Sequence, residues 1–523
     1  MTTGGWAKSR RLGFWHLASD EPDRVALILS SGARVSFGDL LARANQLAHG
    51  FKTCGLRPGD TLAMAVPNDD SYYVIYLAAM QSGLYVTPIN FHLKSSEVAY
   101  ILRDSEASLF IADQKFGDMP AGAAREAELS EDRCFAIGSI DGFRSWEALT
   151  DGQPTSTPAE RHPGAIMGYT SGTTGFPKGV RRPLPSESPD FVAEQSTIFA
   201  RAFGLVPLDG TNLVVGPLYH AGPSIFSWGS LHVGHTQVLT NGFDAEQTLQ
   251  LIERYQVTNT HVVATMFHRL LALPPDTRSR YDVSSLRMVA HSAAPTPVEV
   301  KQAMMDWWGP IIWETYGGTE AAATIAKPHH WMAKPGTAGR PVRGVQIEIV
   351  DSSGNPCPPQ KPGMVYIQKE GELFEYWKDK KKTEESRRGR AFTLGDLGYL
   401  DEDGFLFLTG RQADVIISGG VNIYPSEVES ALLSHTAVAD AVVIGIPNEE
   451  WGEEVLAIVQ LESGYAEGSE TQAVLVDHCK SRIARYKCPR VVHFRKDLPR
   501  EENGKIYRRR IRDEYWKHAN QAI

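Results

Sequence analysis

The residues with the clearest chemical potential lie in the stretch 169–179, which reads YTSGTTGFPKG. Glycines allow the backbone to approach a ligand closely and to turn its N–H groups inward. Hydroxyl side chains add hydrogen-bond donors, and a lysine adds a positive charge. The stretch therefore suits a polyphosphate, although Gly/Ser/Thr clusters also mark turns that bind nothing. Its candidate phosphate-binding residues are Thr170, Ser171, Gly172, Thr173, Thr174, Gly175 and Lys178.

Spacing excludes three common motifs for this stretch. A P-loop needs Gly, four residues and then Gly-Lys-Ser/Thr, but Lys178 follows Pro177. The dinucleotide fingerprint GxGxxG needs two glycines two residues apart, and the chain has no such pair. In the nucleophile elbow GxSxG the serine is the third residue, whereas Ser171 comes one place later after Gly168.

Two further segments carry side chains suited to a nucleotide. The first segment is a run of small residues at the end of a predicted strand, where a flat base could approach the backbone. The second segment combines an aromatic ring, hydroxyls and an acid. Its tyrosine offers a face for a purine, and Glu320 offers a hard oxygen ligand for Mg²⁺. Without context, each segment could equally be a turn. The segments are Ser292, Ala293, Ala294 and Pro295, and Thr315, Tyr316, Gly317, Gly318, Thr319 and Glu320.

Four single residues could complete such a site. Asp396 could accept both ribose hydroxyls, because a carboxylate has two oxygens. Arg411 could bridge the ribose and a developing phosphate charge, and His220 follows a predicted strand. Lys505 could neutralise a carboxylate and a phosphate as they meet. In isolation, a core histidine, surface salt bridges and a solvated lysine are the more frequent explanations.

Length and composition limit the classes of protein to which the chain can belong. A chain of 523 residues exceeds one hydrophobic core and suggests about three units. A net charge of −9 argues against non-specific binding to nucleic acid. The scattered cysteines lack CxxC spacing and indicate reduced thiols in a cytoplasmic protein. The longest apolar region, 72–91, is interrupted by polar residues and Pro88, so we expect no membrane span, while peripheral membrane contact stays open.

Hydrophobic patterning predicts an α/β fold. Apolar runs at 61–66, 84–89 and 108–112 alternate with helices predicted at 71–81 and from Ser95. This alternation is typical of parallel-type sheets packed by helices.

The pattern changes along the rest of the chain. The strand–helix rhythm continues to about residue 308, and short strands beyond residue 334 predict a smaller β-rich lobe. A last α+β unit begins near residue 410, with Pro425 in the first turn of a helix. The basic run 508–510 is expected to be a solvated helix face, or else to contact phosphates of a cofactor.

In these motifs and in their order, nearly the whole chain resembles the adenylate-forming (ANL) superfamily, which includes acyl-CoA synthetases, luciferases and adenylation domains. Residues 169–179 match its phosphate loop, and 315–320 match its YGxTE motif. The resemblance implies that ATP, Mg²⁺ and coenzyme A bind, with Glu320 on the metal. It also implies an adenylation domain, 1–410, and a mobile α+β lid domain, 411–523, that rotates between half-reactions.

The resemblance also assigns roles to residues. It implies that Lys505, His220 and Arg411 are catalytic and that Gly419 and Gly420 let the pantetheine chain of coenzyme A pass. Ser292–Pro295 would contact adenine, and Asp396 would bind ribose. The chain departs from the superfamily at the hinge, where Ala413 replaces the usual Asp or Lys.

The expected function is activation of a carboxylic acid to acyl-AMP, followed by transfer to coenzyme A. An apolar acyl or aryl acid is expected because the sequence shows no obvious buried charge partner for an amino acid's ammonium group. The stretches 264–267 and 307–314 most resemble fatty-acyl and steroid-side-chain CoA ligases, which implies a fatty or other apolar acyl acid. The alternatives are an enzyme that loads a carrier-protein thiol and a non-catalytic nucleotide-binding scaffold. Partners are expected to be small molecules and not nucleic acid, and the protein to be a monomer or homodimer.

Overall fold

The computed structural model describes residues 11–516, except for 171–176, 295, 372, 449, 501–505 and 507. The chain divides into two compact units. The first unit comprises residues 1–262, 275–290 and 372–383. The second comprises residues 263–274, 291–371 and 384–523.

The first unit contains parallel sheets built from the predicted βα alternation. One sheet is parallel throughout, in the order Arg144–Ser145, Cys134–Ile137, Ala107–Asp113, Thr61–Ala65, Tyr85–Pro88 and Ala165–Ile166. A second set runs Met288–His291, Asn259–Val262, Thr211–Val214, Thr236–Leu239, Val25–Ile28 and Arg34–Ser36. A small antiparallel sheet consists of Glu375–Tyr376, Lys178–Arg181 and Gly168–Thr170.

Helices cover these sheets, and local capping explains where several of them begin. Asp69 accepts a hydrogen bond from the Asp70 backbone N–H and starts the helix Asp70–Ser82. Asp244 caps the helix Ala245–Tyr255 by accepting from the Gln247 backbone N–H at 2.7 Å. The other α-helices of this unit are Phe14–Asp20, Phe37–Thr53, Ser95–Asp104, Met119–Glu126, Glu147–Thr150, Pro189–Ala202, Ala221–His232 and Pro275–Arg280.

The second unit contains the β-rich lobe and the C-terminal α+β region. The lobe's sheet runs Arg387–Arg388, Ala391–Phe392, Gly363–Lys369, Asp396–Leu400 and Leu406–Arg411, with Val345–Val350 paired to Gly363–Lys369. An antiparallel set consists of Ile312–Gly317, Ala322–Ala326 and Arg340–Pro341. The C-terminal sheet runs Val421–Ile423, Ile416–Ser418, Gly452–Leu461 and Val438–Asn448, with Val491–Phe494 paired to Gly452–Leu461.

The helices of the second unit complete both regions. They are Ala264–Leu271, Val298–Trp308, Pro328–Ala333, Pro425–Leu433, Ser469–Arg482 and Arg508–Trp516, and Lys380–Glu385 spans the division between the units. The predicted fold class is confirmed: parallel sheets with helices, a β-rich lobe and a small α+β C-terminal region. The boundary at residues 410 and 411, which lies at the end of a strand, stays a prediction. In the described part of the chain, no helix is long and apolar enough to cross a bilayer.

Candidate active site

Three of the predicted nucleotide residues form one hydrogen-bonded network in the second unit. The Tyr316 hydroxyl donates to Asp396 Oδ2 at 2.9 Å, and Arg411 Nε donates to Asp396 Oδ1 at 3.0 Å. Asp396 begins one strand, Arg411 ends the next, and the two residues are direct partners in the antiparallel register. The register therefore brings together two residues that are 15 positions apart in sequence.

Electrostatics fixes the protonation state of this network. Burial raises the pKa of Tyr316 well above its ordinary value, and Asp396 raises it further, so the phenol stays a donor. Burial alone would lower the pKa of Arg411, but the neighbouring Asp396 and Asp414 together outweigh burial and raise the pKa. A carboxylate held between a phenol and a guanidinium is thus fixed in orientation, and it can accept further hydrogen bonds through its remaining lone pairs.

The turn after Tyr316 depends on two glycines. A Cβ on Gly317 would lie 2.3 Å from the Ala321 carbonyl oxygen, and a Cβ on Gly318 would lie 2.4 Å from Glu320 Oε2. The backbone of the turn therefore requires glycine at position 317, and glycine at position 318 leaves room for the Glu320 carboxylate, on a residue 8 % exposed, to fold back against the turn. Thr315 Oγ1 donates to the Thr324 carbonyl oxygen at 3.0 Å, which ties the strand to its neighbour.

Glu320 is the predicted magnesium ligand in this turn. Among the described residues, no group of three or more His, Cys, Asp or Glu side chains could hold a metal by itself. Mg²⁺ commonly binds to one or two carboxylates together with substrate phosphates. A single carboxylate beside the hydroxyl-bearing Thr319 fits that mode.

The predicted base-contacting segment follows the strand Met288–His291. Ala293 has a φ of 75°, a left-handed conformation that is uncommon for a residue with a side chain. Such backbone conformations concentrate at functional sites. Ser292 and Ala294 flank this residue, and Pro295 lies outside the described residues.

A buried ionic cluster next to this segment was missed from sequence. Lys301 Nζ donates to Glu314 Oε2 at 2.6 Å, and His291 Nε2 lies 3.2 Å from the same oxygen. The side chains of Lys301 and His291 are fully buried, and Lys301 Nζ lies 4.9 Å from the centre of the Trp331 ring. Glu314 precedes Tyr316 by two residues on one strand, so both side chains lie on the same face.

The cluster's charges are set by burial and by each other. Burial raises the pKa of Glu314, but Lys301 and His291 lower it more, to about 2. Burial and the charge of Lys301 lower the pKa of His291. At neutral pH the cluster is therefore a Lys–Glu ion pair beside a neutral imidazole.

The glycine-rich stretch is described only at its two ends, in the first unit. Thr170 and Lys178 face each other in antiparallel strands, and Thr170 Oγ1 donates to the Lys178 carbonyl oxygen at 3.4 Å. Lys178 Nζ forms an ion pair with Asp379, a partner that the sequence reasoning did not find. Ser171, Gly172, Thr173, Thr174 and Gly175 lie outside the described residues.

His220 is the N-cap residue of the helix Ala221–His232 in the first unit. The preceding backbone is held by Asn68, whose side chain accepts from Leu218 N at 2.9 Å and donates to the Gly216 carbonyl oxygen at 2.9 Å. The His220 ring lies beside the Tyr219 ring, with 4.3 Å between the ring centres. The imidazole is thus placed at the start of a helix by a fixed loop.

The remaining predicted residues are on the C-terminal region. Gly419 and Gly420 form a turn with φ of 57° and 78°, and a Cβ on Gly419 would lie 2.6 Å from the Trp451 ring. The exposed Trp451 ring therefore requires glycine at position 419. Lys505 lies outside the described residues.

Comparisons with known proteins agree with this architecture. The model of the AMP-binding enzyme family matches residues 14–377, and that of the AMP-binding enzyme C-terminal domain matches 427–505. The chain is 32 % identical over 98 % of its length to a 2-succinylbenzoate–CoA ligase from Bacillus licheniformis, all of which is covered. It is 31 % identical to the fatty acid–[acyl-carrier-protein] ligase ScoC of Streptomyces coeruleorubidus, with 95 % of each chain covered. The crystal structure of the anthranilate CoA ligase AuaEII with anthranoyl-AMP superposes with a TM-score of 0.84 at 26 % identity, covering 97 % of this chain and 98 % of that one.

Fold and site together define an adenylate-forming enzyme that binds ATP. The chain belongs to the AMP-binding enzyme family, with that family's C-terminal domain. It is an AMP-forming acid–CoA ligase that acts through an acyl-adenylate.

Proposed function

We propose that this ligase activates an apolar carboxylic acid, with aromatic acids as the preferred class. The observation that carries the reaction is the Tyr316–Asp396–Arg411 network in a chain that matches both parts of the family. A carboxylate oxygen attacks the α-phosphorus of ATP, giving acyl-AMP and pyrophosphate. The thiolate of coenzyme A then attacks the acyl carbon, and AMP leaves.

The acid class is supported by two observations. Two of the compared proteins are named for aromatic acids, 2-succinylbenzoate and anthranilate. The buried Glu314 carboxylate is already neutralised by Lys301, so it is a poor partner for the ammonium group of an amino acid. A fatty acid is the second candidate, because ScoC is named for one.

We assign roles to the nucleotide residues on chemical grounds. Asp396 would accept the ribose hydroxyls, and Tyr316 would offer its ring to adenine beside the turn Ser292–Ala294. Arg411 and Lys178 would face the phosphates, together with the glycine-rich stretch. Glu320 and Thr319 would hold Mg²⁺, which would supply positive charge to the phosphates.

The acyl-transfer roles fall to the remaining residues. His220 would lie against the acyl carboxylate, and Gly419 and Gly420 would line the path of the pantetheine chain. Lys505 would neutralise the meeting charges of the acid and the α-phosphate. Rotation of residues 411–523 about the hinge would present Lys505 for the first half-reaction and the glycine turn for the second.

The acid class is tested with a panel of aromatic and fatty acids, ATP and coenzyme A, with thioesters detected by mass. We expect the highest kcat/KM for an aromatic acid. Higher values for fatty acids would favour the second candidate, and faster loading of a carrier protein than of coenzyme A would change the acceptor. Acid-dependent exchange of pyrophosphate into ATP excludes a non-catalytic scaffold.

The role of Lys505 has a separate test. Lys505→Ala should slow acid-dependent pyrophosphate exchange about 10²–10³-fold, because one charge-stabilising donor is lost. Thioester formation from supplied acyl-adenylate should stay within about twofold. Lys480→Ala, which removes an exposed lysine paired with Asp477, is the matched control. Equal losses in both half-reactions would remove Lys505 from the adenylation step.

A further inference from the structure

The C-terminal helix Arg508–Trp516 begins with an arginine that was expected to be solvated. That expectation is wrong for Arg508, because its side chain is only 24 % exposed and is held by two acids. Nη2 donates to Glu429 Oε2 at 2.6 Å, and Nη1 donates to Asp414 Oδ2 at 3.2 Å.

The two acids belong to different elements of the C-terminal region. Glu429 lies on the helix Pro425–Leu433, and its Oε1 also accepts from the Val443 backbone N–H at 2.8 Å. Asp414 ends the short turn Gln412–Asp414, which follows Arg411 directly. Arg508 therefore joins the turn at the predicted hinge to the helix that follows Lys505.

The ion pairs of Arg508 with Glu429 and Asp414 hold both acids in a fixed geometry. Burial alone would lower the pKa of Arg508, but Glu429 and Asp414 outweigh burial and raise it. A guanidinium presents its donors in a rigid fork, so it fixes the geometry of two carboxylates better than an ammonium does. Removal of Arg508 would leave the Glu429 carboxylate, which is 12 % exposed, without its counter-ion, while Asp414 would keep the charge of Arg411 nearby.

The chain is also fixed on the other side of the stretch 501–505. Arg500 donates to Asp440 through both Nε and Nη2, the latter at 2.6 Å from Oδ1. Arg500 and Ile506 form an antiparallel bridge, and Ile506 packs against a core cluster that includes Ile444. The described residues on both sides of this stretch are therefore anchored.

We propose that Arg508 is a positioning residue for adenylation, which couples the hinge turn to the segment that carries Lys505. This inference rests on the adenylation role proposed above for Lys505. Asp414 supplies the hinge turn with the charged contact that Ala413 cannot make. Backbone rotation before Asp414 then carries the C-terminal helix with it as one body.

The glycine turn does not depend on Arg508. Ser418 pairs with Gly452, and Gly419 N donates to the Trp451 carbonyl oxygen at 2.8 Å. We therefore expect loss of Arg508 to affect the two half-reactions unequally. Adenylation should suffer, while thioester formation should be spared.

The test measures each half-reaction in Arg508 variants of the full-length enzyme. Arg508→Ala should slow acid-dependent pyrophosphate exchange about 10²-fold, the cost of misplacing a catalytic group by about 1 Å. Thioester formation from supplied acyl-adenylate should stay within about twofold. Arg508→Lys should recover part of the exchange, since it keeps the charge but loses the fork.

Two controls separate positioning from folding. The double variant Arg508→Met with Glu429→Gln replaces Arg508 and its more buried partner by neutral groups. Of the three groups, only Asp414, whose side chain is 23 % exposed, then keeps its charge, so the variant should fold but stay slow in exchange. Arg495→Ala breaks an exposed ion pair with Glu514, which lies on the same helix as Arg508, and should leave both half-reactions unchanged. Full exchange in the double variant, or equal loss in both half-reactions of Arg508→Ala, would overturn the inference. Unchanged exchange in Lys505→Ala would instead overturn the proposed role of Lys505.

Discussion

The strand Ile312–Gly317 contributes one residue to each of two ionic networks, and these two residues are two positions apart. Glu314 joins Lys301 and His291, whereas Tyr316 joins Asp396 and Arg411. Both networks are buried, both contain an ion pair, and both hold groups with shifted pKa values.

The carboxylates of the two networks are similarly buried, and the networks differ in whether their cation is accessible. In the first, Lys301 and His291 are 0 % exposed and Glu314 is 16 % exposed. In the second, Arg411 is 34 % exposed and Asp396 is 12 % exposed. Ionic pairing and shifted pKa values therefore do not by themselves mark a binding site, because structural ion pairs show them too. The accessible guanidinium of Arg411 agrees with the ATP-binding role proposed for the second network, whereas the buried Lys301 favours a role in stability for the first.

The largest expected effect is on the free energy of unfolding. It concerns the network of Glu314, Lys301 and His291, called here the closed network because its lysine is fully buried. Lys301→Met should lower the free energy of unfolding by about 3–5 kcal/mol, because it leaves the Glu314 carboxylate buried without its partner. Urea unfolding measures this loss. The double variant Lys301→Met with Glu314→Gln should regain most of it, since no buried charge then remains. A double variant as unstable as the single one would show that the packing of Lys301, and not its charge, matters.

The same network predicts a pH dependence. Glu314 has a pKa of about 2 instead of 4.5, so its contribution to stability is complete above pH 4.5 and is lost as pH falls towards 2. The free energy of unfolding of the wild type, relative to the Lys301→Met, Glu314→Gln double variant, should fall in that window by about 1.4 kcal/mol per pH unit. Lys301 lowers the pKa of His291 and Glu314 raises it, and the double variant removes both charges, so the titration of His291 changes only by the difference between these opposing effects. A constant difference between pH 5 and pH 3, about the range in which unfolding can be followed, would contradict the prediction.

At the network of Tyr316, Asp396 and Arg411, called here the open network because its arginine is partly exposed, we expect an effect on nucleotide binding. Asp396→Asn should raise the KM for ATP about 10–100-fold, because hydrogen bonds to a charged acceptor are worth about 1.5–3 kcal/mol. The KM for the acid should change little, and steady-state kinetics with each substrate varied in turn measures both. A variant that loses stability without a change in the KM for ATP would make this network structural as well.

The elements that support these networks were predictable because their signals are local. The helix Asp70–Ser82 was predicted at 71–81, and the strand–helix alternation that ends with the helix Val298–Trp308 was predicted to continue to about residue 308. The register between Asp396 and Arg411 was not, since the pairing of strands depends on tertiary structure. Resemblance to a family predicted a role for both residues, but only the fold shows that Arg411 donates to the Asp396 carboxylate.

Packing brings together some partners that the sequence alone does not reveal. Asp379 meets Lys178 across 201 residues, and nothing in the composition around either residue indicates the other. Glu314 offered a weak signal, since it lies on the same strand face as Tyr316. Lys301 gave none, because a lysine on a helix is usually solvated.

The smallest expected effect concerns an exposed ion pair, which serves as a reference for the ion pairs of the two buried networks. Arg287 Nη1 lies 2.7 Å from Asp209 Oδ2, closer than Arg411 Nε lies to Asp396, but the two side chains are 53 % and 64 % exposed. Arg287→Ala should lower the free energy of unfolding by less than about 1 kcal/mol, because water and salt screen exposed charges. Urea unfolding at low and high salt measures this. A loss as large as that of Lys301→Met would mean that the short distance between the charges, and not their burial, sets the cost at the closed network.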